Sequence, residues 1–237
     1  MGYKKPLLIE LLAELDLDAA LPGDAVFDLA ADLRRNGYPR IDLGPTLAMP
    51  PGLPGAVVAM PGALQTRLRC WSADDKKLVQ VSPTQIVVNQ IGDYLGWSDF
   101  KEMFGGVIGA AQKVGPLAAS ALSLQAIDQL AIDGPGFKLG SYFACKGTWI
   151  PQWYEDCAEA CDISLGRGHV HEGGKNRQLA LRLRPSPTGF VVKLNTIFKD
   201  KLRNSPPVEV LESLHKEATD LFEAVITDAT RKKMGGK

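Results

Sequence analysis

"SPTQIVV", residues 82–88, recurs as "SPTGFVV", residues 186–192. In each case a Ser-Pro-Thr turn opens an apolar run of strand character, and a helical pattern follows. Pro fixes φ and suits a turn, whereas the β-branched run after it suits a pleated surface. A word of this kind, repeated in the same place in two element orders, points to an internal repeat.

Working outward from the first copy, Leu64, Thr66, Leu68 and Cys70 alternate with Gln65, Arg67, Arg69 and Trp71, which is the strand period. "LVQV" precedes the turn and "QIVVNQI" follows it. Residues 97–113 read as a helix with Ser98 as cap and Trp97, Phe100, Phe104, Val107, Ile108 and Ala111 on one face. Upstream, residues 7–17 form an extended apolar run. A helix capped by Asp24 then presents Val26, Phe27, Leu29, Ala30 and Leu33, and stops at Gly37. Residues 39–63 are rich in Pro and Gly and are expected to lack regular structure.

Around the second copy the order repeats. Residues 121–132 read as a strand or a short helix, and residues 151–161 as a helix. "QLALRLR" alternates, and "FVVKLNTIF" is a strand. Pro206 and Pro207 open a helix striped by Val208, Leu211, Leu214, Ala218, Leu221, Phe222 and Val225. The expected fold is α+β: two β-α-β-β-α halves related by duplication, with antiparallel hairpins covered by helices. The halves span residues 1–116, with 39–63 as an insertion, and 117–237, together forming one unit.

Lys plus Arg and Asp plus Glu both count 27, so the net charge is zero and no strong nucleic-acid footprint stands out. A local basic patch is conceivable at Arg67 and Arg69 or at Arg182 and Arg184, where the solvent face of a strand is the simpler reading. Glu10, Glu14 and Asp16 interrupt the N-terminal apolar run, which a signal core does not tolerate. No stretch reaches the roughly 18 apolar residues of a membrane span. The expected location is the cytoplasm, with no membrane association.

Four segments carry a family resemblance: "YKKPLLIELLAELDL" (3–17), "VQVSPTQIVVNQIGDYLGWSDF" (79–100), "LSLQAIDQLAID" (122–133) and "LHKEATDLFEAVITDATRKKM" (214–234), the last with an F-E-x-x-I-T ending. The chain resembles a sporadically distributed bacterial family of about 250 residues to which no reaction is assigned. In the third segment it departs from that family, carrying Gln125, Asp128 and Gln129 where basic and aromatic residues are usual. The sporadic distribution implies mobile loci and an antiviral-defence setting. The paired modules are also similar in architecture to the duplicated GyrI-like and SOUL proteins, a likeness that implies a groove between the halves.

"CAEACDISLGRGHVHEGG", residues 157–174, is the stretch richest in potential ligands. On a helix, Cys157 and Cys161 share one face and could supply half of a tetrahedral zinc site, completed by Cys145, His169 or His171. A free Cys is also a small hydrophobe, and paired short loops such as C-x2-C are absent. "GRGHVHEGGKN" reads as a Gly-rich connection that leaves its imidazoles poorly oriented. The expectation is therefore two packed thiols, with no metal and no cofactor. His215 is expected to be a partly buried helical histidine and not a general base.

No nucleophile elbow, phosphate loop or dinucleotide fingerprint is present. Trp149, Trp153 and Tyr154 cluster as core or interface anchors. The leading expectation is a non-catalytic protein-interaction module. The alternatives are a small-ligand binder using the cleft between the halves and, last, an enzyme.

Overall fold

A computed structural model describes residues 7–45, 66–133, 139–144, 163–170, 175–186 and 189–235. Among them nine strands form one antiparallel sheet. The strands are β1 (Leu8–Leu17), β2 (Arg40–Pro45), β3 (Thr66–Trp71), β4 (Lys77–Ser82), β5 (Gln85–Ile91), β6 (Ala119–Asp133), β7 (Ile163–Val170), β8 (Asn176–Ser186) and β9 (Gly189–Lys201). Five helices accompany them: α1 (Gly23–Arg35), α2 (Trp97–Val114), α3 (Leu139–Tyr142), α4 (Pro207–Val225) and α5 (Asp228–Lys233). Within the described residues no helix is long and apolar enough to cross a membrane.

The sheet runs β2-β3-β4-β5-β1-β6-β9-β8-β7. β1 lies at its centre because its alternation is strict: Leu11, Ala13, Leu15 and Leu17 are buried on the face that the helices cover. Glu10, Leu12, Glu14 and Asp16 point to the opposite face. α1, α2 and α4 lie on the first face, with α1 over β3 and β4, α2 over β5, and α4 over β6 and β9. The core there joins Leu15, Leu29, Ile86, Phe100, Phe104, Leu122 and Leu211. A second cluster, including Leu130, Leu183, Val192, Phe143 and Met234, lies under the C-terminal end of the chain.

The two Ser-Pro-Thr words occupy matching places. The first joins β4 to β5 with Ser82 paired to Gln85, and the second joins β8 to β9 with Ser186 paired to Gly189. The first turn also fastens the chain leaving β1, because the carbonyls of Thr84 and Pro83 accept from the Leu17 and Leu21 amides at 2.9 and 2.7 Å.

Several expectations change. The element order is richer than β-α-β-β-α, since residues 1–116 and residues 117–237 each carry more strands than expected. Residues 40–45 of the Pro/Gly-rich stretch form the edge strand β2, where Pro45 is tolerated because it ends the strand; residues 46–63 lie outside the described residues. Residues 121–132 belong to a 15-residue strand and not to a short helix. Residues 166–170, expected to belong to a Gly-rich connection, instead lie in β7, because pairing to β8 overrides the weak propensity of its glycines. Neither Ser98 nor Asp24 is a cap: Gly96 and Pro22 hold those positions, without a side-chain capping bond. The expected helix over 151–161 lies outside the described residues.

Candidate functional site: a polar network on the helix-free face

Strand alternation sends Glu10, Glu14 and Asp16 of β1 to the face on which none of the described helices lies, the helix-free face. Pairing with β5 brings Gln85 opposite Asp16, Val87 opposite Glu14 and Asn89 opposite Leu12. Pairing with β6 puts Ala121 and Ser123 opposite Asp16 and Glu14 on the other side. These two residues are small, so Lys199 of β9 reaches across β6 and forms an ion pair with Asp16.

The Gln85 amide joins the network. Its nitrogen donates to Asp16 Oδ1 at 2.8 Å and to Glu14 Oε1 at 3.1 Å, and its oxygen accepts from the Arg67 guanidinium of β3. Asn89 donates to Glu10 Oε1 at 3.0 Å and accepts from Gln80 at 3.3 Å. The chain of contacts therefore runs from β3 to β9, across the β1–β6 junction. Farther along the face, Gln125 donates to Asn195 at 2.9 Å.

Although none of the described helices covers this face, it is not a plain solvent surface. Val87 is 1% exposed and Asn89 3%. Burial, with the Asp16 carboxylate beside it, raises the Glu14 pKa; Arg67 and Lys199 oppose the rise. A carboxyl whose pKa is raised takes up a proton more readily than an exposed one, which suits it to a polar ligand or to proton holding.

The helix-covered face has two polar clusters of its own. Arg177 of β8 donates to both Glu217 oxygens at 2.7 and 2.9 Å and to Asp200 at 2.8 Å, tying α4 to β8 and β9. At the α2–α4 contact, Trp97 donates to Glu212 at 2.9 Å and stacks on His215. His215 is half-buried, as the helical pattern predicts, and Trp97 packs against its own helix at Phe100 while bridging to α4.

Of the residues singled out from sequence, Arg67 and Arg69 lie on the helix-free face, and so by register do Arg182 and Arg184. Arg67 belongs to the network. The backbone of His169 lies in β7, paired with Arg177. Cys145, Cys157, Cys161, His171, Trp149, Trp153 and Tyr154 lie outside the described residues. Within the described residues no three His, Cys, Asp or Glu side chains are grouped to hold a metal. The acids of β1 and the amides of β5 were not anticipated as a site; the signal available was a carboxylate at every outward position but one between Glu10 and Asp16.

No family model matches the chain, and no curated protein matches it. Among solved structures it is similar to the substrate-free duplicated taurocyamine kinase from Schistosoma mansoni, at 12% identity and a TM-score of 0.32. The match covers 80% of this chain and 29% of that one, and nothing of that enzyme's activity is transferred here.

Proposed function

We propose that the protein binds a small polar molecule on the helix-free face, at the junction of two duplicated halves. The observation that carries this reading is the Gln85 amide, engaged by Arg67 on one side and by Glu14 and Asp16 on the other, in a network that Lys199 extends across the junction. Solvent-facing strand residues have no reason to converge in this way. A carboxyl with a perturbed pKa, held in a polar network away from the hydrophobic core, is a feature of binding sites. The spare oxygens of the carboxylates and the remaining guanidinium N–H groups leave both acceptors and donors for a ligand.

The duplication is part of the proposal, and strand order supports it. Outward from the β1–β6 junction, one side reads first strand, last strand, next-to-last, and the other side reads the same. The repeated turn falls at the same joint in each. A groove between the halves is also what the GyrI-like and SOUL resemblance implies. The interaction-module alternative rests on Trp149, Trp153 and Tyr154, which lie outside the described residues.

Native mass spectrometry of the chain, purified without added ligand, tests the reading. The expected result is a retained small molecule whose occupancy falls at least tenfold in Glu14→Gln and in Gln85→Leu, with folding intact. A chain that retains nothing, and whose melting temperature is unmoved by a broad panel of polar metabolites, would sink it.

A further inference from the structure

Two buried donors on β3 have no acceptor: the Arg67 Nε–H and the Trp71 indole N–H. Arg67 and Trp71 are four residues apart on one strand, so both belong to the helix-free face, with Arg69 between them. Leaving a buried N–H without a partner is costly, and such groups are rare in native proteins. Two of them on one strand face mark a place where an acceptor is wanted. The other two buried orphans, Gln90 Oε1 and Asn176 Oδ1, are acceptors on separate strands.

The intervening side chain is held aside. Arg69 leans onto the neighbouring strand, where its Nε donates to Asp42 Oδ1 at 2.5 Å. It lies across Gly44, whose bare Cα makes the room: a Cβ there would come within 2.5 Å of the Arg69 Cδ and Nε. Arg40 sits 5.1 Å from the Trp71 ring and pairs with Asp75 at 2.7 Å. Arg40 and Arg69 thus have carboxylate partners, whereas among the described residues Arg67 has no ion pair and donates to the neutral oxygen of Gln85.

We propose that Arg67 and Trp71 hold an anionic oxygen group, phosphoryl or carboxylate, at one end of the bound molecule. This deepens the reading of the helix-free face and rests on it. The ligand then carries an anionic end toward β3 and hydrogen-bond donors toward Glu14 and Glu10. About 13 Å separates Cα atoms four residues apart on a strand, so the two donors together suit an extended anion better than a single small ion.

The experiment uses the full chain labelled with 15N and follows its tryptophan indole resonances, that of Trp71 being assigned with Trp71→Phe. Pyrophosphate and succinate are titrated separately, with sodium chloride at matched ionic strength as the control. The expected result is a saturable shift of the Trp71 signal with at least one of the two anions and none with chloride. Arg67→Gln weakens it at least tenfold. Arg67→Lys, which keeps the charge but lacks the Nε–H, weakens it less. A response to pyrophosphate alone assigns a phosphoryl group, to succinate alone a carboxylate, and to both a general anion subsite. An unmoved Trp71 signal, a shift equal to that of chloride, or an undiminished response in folded Arg67→Gln overturns the assignment. Its failure is separable from that of the binding reading: a molecule lost from Glu14→Gln while the Trp71 signal ignores both anions leaves the site standing without this subsite.

Discussion

The indole of Trp97 lies flat on the imidazole of His215, with ring centroids 3.6 Å apart and planes within 4°. Trp97 begins α2 and His215 is in the middle of α4, so the stack joins two helices far apart in the chain. An aromatic pair of this kind is worth about 0.5–1.5 kcal/mol beyond its burial. His215→Ala should lower stability by at least that much, measured by denaturant unfolding.

The same stack makes stability depend on pH. Burial lowers the His215 pKa below its usual value, and Glu212 opposes the shift without cancelling it. As pH falls, the unfolded chain takes up the proton first. The contribution of His215 is therefore full above about pH 6.5 and is lost as pH falls below it. His215→Phe keeps a ring against Trp97 and removes the titration. Subtracting the Phe variant's stability curve from that of the wild type should give a difference that declines below pH 6.5; a flat difference would refute the argument.

Asp128 contributes with the opposite sign. It is 8% exposed, on a central strand, and no described residue hydrogen-bonds its carboxylate. Burial pushes its pKa up to about 7 from 3.8. The folded state therefore favours the neutral acid: the contribution is full below pH 3.8 and is lost as pH rises toward 7. Asp128→Asn should be near neutral in effect at pH 3 and stabilising at pH 8, by up to about 4 kcal/mol from the pKa difference. Chemical denaturation at the two pH values checks this. An Asn variant no more stable at pH 8 than the wild type would show that a partner compensates the charge.

Arg177 is the polar clasp under α4. It is 12% exposed, and its fork engages Glu217 through two bonds and Asp200 through a third. Removing one member of a buried charge cluster costs about 3–5 kcal/mol. Lys175, 3.7 Å from Asp200, softens the loss, so Arg177→Met should sit at the low end, about 3 kcal/mol. Adding Asp200→Asn to that variant should recover part of it. A non-recovering double variant would locate the cost in lost packing on Phe198, over which the guanidinium lies at 5.1 Å.

What could be read from the chain alone follows a physical divide. Leu11, Ala13 and Leu15 alternate with Leu12, Glu14 and Asp16, and Leu211, Leu214 and Ala218 recur at helical spacing; such local periods report an element directly. β7 escaped because Gly166 and Gly168 give no alternation, and its strand exists only through pairing with β8. β6 stayed ambiguous because Asp128 falls on the face of Leu122 and Leu124, and Ile127 on that of Ser123 and Gln125, so polarity does not alternate cleanly along it. The network escaped for a further reason. Gln85 meets Asp16 through a register spanning 69 residues, and Lys199 meets Asp16 across an intervening strand. The types of the residues are visible in the sequence, but their convergence is a property of sheet order.

Gly44 provides the last test, one that separates stability from the anion subsite. A Cβ at this position meets the Arg69 side chain and not backbone, so Gly44→Ala can be accommodated by moving the guanidinium. The Arg69–Asp42 pair is partly exposed, with side chains 34% and 39% accessible. Exposed pairs contribute about 0–1 kcal/mol, so global stability should change by no more than about that. The displaced guanidinium has to leave its place across Gly44, and its position 6.0 Å from the Trp71 ring changes with it. The Trp71 indole resonance should therefore move in Gly44→Ala without any anion present, while the melting temperature barely changes. The double variant Gly44→Ala/Arg69→Ala removes the displaced group and should return that resonance toward its wild-type position. An indole signal identical in wild type and Gly44→Ala would mean that the Arg69 guanidinium does not move relative to Trp71 when a Cβ is added at Gly44.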